Sequence, residues 1–111
     1  IGGKMGRYYV IAKVSEELMK KMQENPTADR LASTKKACEA AGLKMISYEW
    51  VRGRFDIIGC MEGDFESVLG MKVAFINSGL ITDMMIHEVF DYNKAFGKAA
   101  DTATGVTKPG Q

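Results

Sequence analysis

The sequence predicts an α+β fold in which a four-stranded antiparallel sheet carries two helices on one face. Apolar residues recur with strand and helix periods in the order β, α, β, β, α, β, and a glycine-containing turn joins the two middle strands. The chain has 111 residues, which is enough for one domain. Its 15 Lys and Arg residues against 14 Asp and Glu residues give a net charge of +1, so it lacks the basic excess typical of nucleic-acid-binding proteins.

The first strand and the first helix follow each other directly. Residues 7–14 are rich in Tyr, Val and Ile, which favour the extended backbone. Ser15 is the predicted N-cap of a helix over residues 16–24, because its hydroxyl can accept a hydrogen bond from the first turn. Asn25-Pro26 then stops or kinks this helix, since proline lacks the backbone donor.

A second helical stretch, residues 28–41, has an inner face made mostly of small residues. That face consists of Leu31, Thr34, Cys38 and Ala41. Gly42 ends the stretch, because glycine adopts the left-handed backbone conformation of a helix terminus without strain.

Two strands, residues 43–51 and 55–62, follow this helical region. The short segment Arg52-Gly53-Arg54 lies between them and predicts an antiparallel hairpin. Both strands contain β-branched and aromatic residues, as expected of a sheet that is at least half buried.

A helix and a strand complete the domain. Asp64 is the predicted N-cap of the helix, residues 77–79 end it, and residues 80–90 form the last strand. The predicted buried side of this helix consists of Val68, Leu69, Lys72, Val73 and Ile76. Residues 93–111 predict a flexible tail with one short helical turn near residues 95–100.

The element order predicts a ferredoxin-like sandwich over residues 7–92, preceded by a tag or disordered segment of residues 1–6. Its helices cover only one face of the sheet. Neighbouring strand residues such as Ile57 and Ile58 are nevertheless both apolar, and they point to opposite faces. The uncovered apolar face therefore predicts a homodimer or a higher homo-oligomer that stacks sheet on sheet.

The chemistry-bearing residues are few. Cys38 and Cys60 have no CxxC spacing and no ligand partners nearby in sequence, so we interpret them as reduced packing residues and expect no metal site. The sequence has no glycine-rich phosphate-binding loop, so no cofactor is expected. It also has no apolar run long enough for a membrane span and no secretory leader, and we expect a cytoplasmic protein without nucleic-acid or membrane partners.

The predicted hairpin resembles part of a known family. Arg52-Gly53-Arg54-Phe55-Asp56 resembles the glycine, tyrosine, aspartate signature of GYD-domain proteins, with Phe55 in the tyrosine place. The stretch from Asn25-Pro26 to Gly42 and the segment Tyr48-Glu49-Trp50 are also similar to that family, so the resemblance covers about residues 7–90. It implies a ferredoxin-like domain in a dimeric α/β-barrel assembly. It implies no established reaction.

Asp56 and His87 are the candidate catalytic residues. Asp56 follows the hairpin and can act as a base at the rim of a cavity between two stacked sheets, or it can cap the turn or pair with Arg52 or Arg54. His87 is the only histidine; it can act as a general base, or it can be a partly buried residue bonded to a backbone carbonyl.

Tyr48, Trp50 and Arg54 are the candidate ligand-binding residues. Tyr48 and Trp50 share one face of the second strand with Ile46, whereas Glu49 points to the other face. Aromatic side chains with polar groups suit a ligand cavity, and they equally suit a dimer interface or a core.

The sequence is compatible with two functions. The first is a small protein that self-associates through its open sheet face and binds a small apolar or aromatic ligand, or acts as an accessory subunit of a larger assembly. The alternative is a cofactor-independent isomerase or monooxygenase in which Asp56 or His87 transfers a proton.

Overall fold

The chain forms one sheet and four helices in a computed structural model, which describes residues 5–107 and 109–110. In chain order the elements are β1 (Gly6–Val14), α1 (Glu16–Glu24), α2 (Arg30–Ala40), β2 (Lys44–Trp50), β3 (Ile57–Gly63), α3 (Phe65–Asn77), β4 (Ile81–Glu88) and α4 (Tyr92–Ala103). The predicted tag or disordered segment of residues 1–6 lies mostly outside the described residues, which begin at Met5, and Gly6 already belongs to β1.

The four strands pair antiparallel in the order β2-β3-β1-β4. At one level of the sheet, Val10 of β1 lies opposite Gly59 of β3 and Ile86 of β4. At the next level, Ile11 lies opposite Ile58 and Met85. Successive levels point to opposite faces, so the α+β class, the antiparallel sheet and the apolar character of both faces are confirmed.

The region between β1 and β2 contains two separate helices. The Ser15 hydroxyl accepts a hydrogen bond from the Leu18 N–H and begins α1, as predicted. The helix α2 begins slightly later than predicted. Asp29 is its N-cap, and the Asp29 carboxylate accepts a hydrogen bond from the Ala32 N–H. The prediction that Leu31 lies on the inner face was wrong, since Leu31 is 53% exposed.

The helix α3 has its inner face rotated from the predicted one. Its buried residues are Val68 and Met71, whereas Leu69 and Val73 are exposed. Apolar residues occupy much of the helix circumference, so the periodicity left the orientation open. Packing against α2 brings the Cys38 Sγ to 3.8 Å from the Met71 Sδ and determines which side faces inward.

The core lies between one face of the sheet and the helices. It is formed chiefly by Tyr8, Val10, Ala12 and Val14 of β1, Met61 of β3, Met84 of β4, and Leu18, Cys38, Val68 and Met71 of the helices. Cys38 and Cys60 are free thiols and both are buried, as expected of packing residues.

The C-terminal region forms a longer helix than predicted. Instead of one turn near residues 95–100, α4 runs over Tyr92–Ala103. The Asp91 carboxylate accepts from the Lys94 N–H at its start, and the alanine-rich sequence that follows has high helix propensity. No residue of α4 is buried, so this helix adds nothing to the core. Lys108 and Gln111, at the end of the predicted tail, lie outside the described residues.

Candidate functional site

A cavity of about 250 Å³ lies between the sheet and the helices. Its lining is almost wholly apolar and includes Val10, Ala12, Ile57, Gly59, Met61 and Met84 of the sheet and Cys38 and Met71 of the helices. The cavity is therefore on the helix side of the sheet, whereas the sequence interpretation expected a cavity between two stacked sheets. The alternation of side chains explains the difference, because Val10, Gly59 and Met84 share the face that the helices cover.

Tyr48 and Trp50 line this cavity from the edge strand β2. The Trp50 Nε1 donates a hydrogen bond of 2.8 Å to the Tyr48 hydroxyl, which fixes the two rings relative to each other. Trp50 is 40% exposed and marks the open side of the cavity. The structure thus places these two predicted ligand-binding residues in one site.

A register shift in β2 separates Ile46 from the face that Tyr48 and Trp50 share. Met45 pairs with Met61 and Ser47 pairs with Cys60, so two steps on β2 match one step on β3. Ile46 is the additional residue of this bulge and does not line the cavity, contrary to the simple alternation assumed from the sequence.

Gly59 contributes to the space in the cavity because it has no side chain. A Cβ atom at this position would lie 3.4 Å from the Ser47 backbone oxygen and 3.5 Å from the Val10 Cγ2. These are ordinary contact distances, so a methyl group fits here, whereas a large side chain would occupy the cavity.

Arg30, which the sequence interpretation missed, is the only charged residue that lines the cavity within the described part of the chain. Its Nε is buried and has no hydrogen-bond partner among residues 5–107 and 109–110. The arginine is the first residue of α2, and it lines the same cavity as the β2 aromatic residues because of how the helices pack on the sheet. A lone arginine at a helix start gives no signal in the sequence that would identify it.

Cys38 is the thiol group in the cavity lining. Burial raises the pKa of the Cys38 thiol, and the negative charge of Glu39 raises it further. A thiol with a raised pKa stays protonated at neutral pH and is a poor nucleophile. Cys38 therefore contributes packing to the cavity wall.

Asp56 does not reach the cavity. Its Oδ2 accepts a hydrogen bond of 2.9 Å from the Val14 N–H, and its own N–H donates to the Ala12 carbonyl oxygen. The carboxylate thereby satisfies a backbone donor at the end of β1, a contact across strands rather than the cap around Gly53 and Arg54 considered from the sequence.

His87 and Arg54 also lie away from the cavity. His87 is exposed on the open face of the sheet, opposite Tyr9. The Arg54 backbone oxygen accepts from the Lys13 Nζ at 3.4 Å, and its guanidinium lies 5.9 Å from the centre of the Phe55 ring. Asp56, His87 and the cavity aromatic residues thus do not converge on one site.

The open face of the sheet has an apolar centre between charged ends. Tyr9, Ile11, Ile58, Cys60 and Met85 form the centre, with Glu49 beside Ile58 at the β2 edge and His87 beside Tyr9 at the β4 edge. At one end, the Arg7 Nη2 forms an ion pair of 2.8 Å with the Glu62 Oε2. At the other end, Lys13 lies opposite Asp83.

No family model, curated protein or solved structure matches this chain. Within the described residues, no three His, Cys, Asp or Glu side chains are grouped so that they could hold a metal ion. In the same part of the chain, every helix is too short or too polar to cross a membrane.

Proposed function

We propose that this protein binds a small apolar or aromatic ligand in the cavity between its sheet and helices, and that it self-associates through the open sheet face. The strand order β2-β3-β1-β4, with helices between β1 and β2 and between β3 and β4, supports a ferredoxin-like arrangement of two βαβ halves. The stacking of two open faces would give the dimeric α/β-barrel assembly that the GYD resemblance implies.

The cavity is the observation that carries the ligand-binding proposal. Protein cores normally contain few voids larger than a water molecule, yet this domain has a cavity of about 250 Å³ beside Trp50. An apolar cavity of about 150 Å³ accommodates benzene, so this one has room for about ten non-hydrogen atoms. Aromatic residues at the mouth and methionines in the wall suit a flat apolar molecule.

The eight methionines allow a direct test. Met45, Met61, Met71 and Met84 line the cavity, whereas Met5, Met19, Met22 and Met85 do not. In protein labelled with ¹³C at the methionine methyl groups, we expect toluene to shift the NMR signals of the first four. The second four provide an internal control because they lie outside the cavity.

Filling the cavity supplies a second readout. Ala12→Leu adds three carbon atoms at a buried cavity-lining position, and we expect it to weaken toluene binding. Leu31→Ala, on the exposed side of α2, is the matched control and should leave binding unchanged. Equal signal shifts in all eight methionines, or none in the cavity set, would refute the proposal.

The charge pattern of the open face supports a two-fold dimer with a particular orientation. A two-fold axis parallel to the strands and between β1 and β3 would set Arg7 against the partner's Glu62 and Ile11 against the partner's Ile58. An axis across the strands would instead bring Arg7 near the partner's Lys13. The first orientation pairs the opposite charges of Arg7 and Glu62 and the apolar side chains of Ile11 and Ile58, so it is the one we propose.

Sedimentation velocity tests the self-association. We expect the wild-type protein to be dimeric at micromolar concentration and Ile11→Lys to be monomeric, because the substitution places a charge at the centre of the apolar face. Leu31→Lys introduces the same side chain at an exposed position on α2 and should remain dimeric. A monomeric wild-type protein would contradict this part of the proposal.

A further inference from the structure

We infer that the ligand of the cavity is a small monocarboxylate, whose apolar part fills the cavity and whose carboxylate binds Arg30. This inference rests on the proposed ligand-binding function and specifies the chemical class of the ligand. The class is an aromatic or medium-chain aliphatic acid of about ten non-hydrogen atoms, from the cavity volume.

The unpartnered Nε of Arg30 is the first reason. The Arg30 Nε is buried at the cavity and has no hydrogen-bond partner within the described residues. A buried donor that lacks a partner costs free energy, and such groups are rare in folded proteins. A ligand carboxylate that binds the guanidinium, with a small rotation of the Arg30 side chain toward the cavity, would give this donor an acceptor and offset that cost.

The positive charge of the cavity lining is the second reason. Among the described residues that line the cavity, Arg30 carries the only formal charge and there is no aspartate or glutamate. An anion that enters therefore meets one cation and no competing carboxylate. The same site disfavours a cationic ligand, which would be placed beside Arg30 without a counter-charge.

The Tyr48 hydroxyl at the mouth of the cavity is also able to donate. It accepts from the Trp50 Nε1, so its own hydrogen is oriented away from that bond. Planar guanidinium groups match the two oxygens of a carboxylate, which favours a carboxylate as the anionic group.

Two ligands of equal size separate charge recognition from apolar binding. Phenylacetate and phenylacetamide have the same number of non-hydrogen atoms, but only the first is an anion at neutral pH. With the methionine methyl signals as the readout, we expect phenylacetate to bind about tenfold to a hundredfold more tightly. That ratio is typical of a charge-assisted hydrogen bond worth about 1.5–3 kcal/mol.

Arg30→Met should abolish this preference while phenylacetamide still binds. Lys35→Met removes the same charge from the same helix outside the cavity lining, and it should retain the preference. Thermal unfolding should show that Arg30→Met is folded, since the substitution removes a buried donor that has no partner.

The outcomes distinguish the carboxylate inference from the underlying proposal that the cavity binds a ligand. Equal affinity for the two ligands in the wild-type protein, or an unchanged preference in Arg30→Met, would overturn the carboxylate inference and leave apolar binding in place. If neither of these ligands nor toluene shifts the cavity methionines, the ligand-binding function itself is refuted, and the inference is refuted with it.

Discussion

The indole N–H of Trp50 donates to the phenolic oxygen of Tyr48 over 2.8 Å, and both rings line the same cavity. The two residues are separated by one position on β2, so the extended backbone places them side by side. This pair links the edge of the sheet to the cavity mouth. Trp50 is the only tryptophan in the chain, so its fluorescence reports on this position alone.

Tyr48→Phe should change the environment of Trp50 without destabilising the domain. The bond is exposed, so water can replace the lost acceptor, and we expect the free energy of unfolding to fall by less than about 1 kcal/mol. Trp50 emission should move to longer wavelength as the indole N–H becomes hydrated. Tyr9→Phe, on the opposite face, should leave the emission unchanged. An unchanged spectrum in Tyr48→Phe would mean that the bond is absent in solution.

Asp56→Ala should destabilise the sheet. The substitution leaves the Val14 N–H without its partly buried acceptor, which costs about 1–3 kcal/mol in the free energy of unfolding. Asp56→Asn should cost less, because the amide oxygen can still accept. Asp83→Ala on the exposed face provides the comparison in urea unfolding, and equal effects of Asp56→Ala and Asp83→Ala would argue against a specific role for Asp56.

Alanine substitutions at two glycines of β3 should change the free energy of unfolding in opposite directions. Gly59→Ala places a methyl group at ordinary contact distance and restricts the unfolded chain, so we expect a gain of about 0.4–1 kcal/mol. Gly63→Ala would place a Cβ in overlap with the Cδ2 of the buried Leu43, at a cost of about 1–3 kcal/mol. Thermal unfolding of the two variants measures both values. A stabilised Gly63→Ala would show that Leu43 moves freely.

Asp64 should contribute to stability only above the acid range. Hydrogen bonds from the Ser67 side chain and from its backbone N–H hold the pKa of Asp64 below the ordinary value of 3.8. A lowered folded-state pKa means that the contribution is complete above the unfolded pKa and is lost as the pH falls through the folded one.

The variant Asp64→Asn keeps an N-cap acceptor for α3 but cannot titrate. We expect the wild-type advantage in urea midpoint to be largest at neutral pH and to disappear in strong acid. The other carboxylates are common to both proteins, so their titration largely cancels in the difference. A difference that is constant with pH would contradict this prediction.

Removal of α4 should leave the domain folded. No residue of Tyr92–Ala103 is buried, so ending the chain after Asp91 should change the free energy of unfolding by less than about 1 kcal/mol. Circular dichroism should show the loss of one helix, and the unfolding midpoint should remain close to that of the full chain. A large fall that depends on protein concentration would indicate that α4 packs against a second copy.

The sequence was sufficient to predict the elements that have local signals. Ser15 and Asp64 begin helices by hydrogen bonds that short polar side chains make within one turn, and Gly42 adopts a φ of 82° after α2. The inner face of α3 and the length of α4 were not predicted correctly. The first depends on contact with Cys38 across the domain, and the second was obscured because small residues were interpreted as a tail.

The candidate site was predictable only in part. The alternation in β2 correctly paired Tyr48 with Trp50, but nothing local could show which sheet face the pair occupies relative to a cavity. Arg30 lies 18 or more positions from both aromatic residues in the sequence and comes to line the same cavity only through the helix–sheet packing. Asp56 and His87 were selected by residue type, and the fold directs them elsewhere.

The strand β1 separates the cavity from the open face of the sheet. Val10 lines the cavity, and its neighbours Tyr9 and Ile11 lie on the open face, so the proposed ligand and the proposed second copy would touch consecutive residues. A backbone shift of β1 that admits a larger ligand therefore moves both surfaces together. If occupancy alters the dimer dissociation constant, thermodynamic linkage requires dimerisation to alter ligand affinity by the same factor.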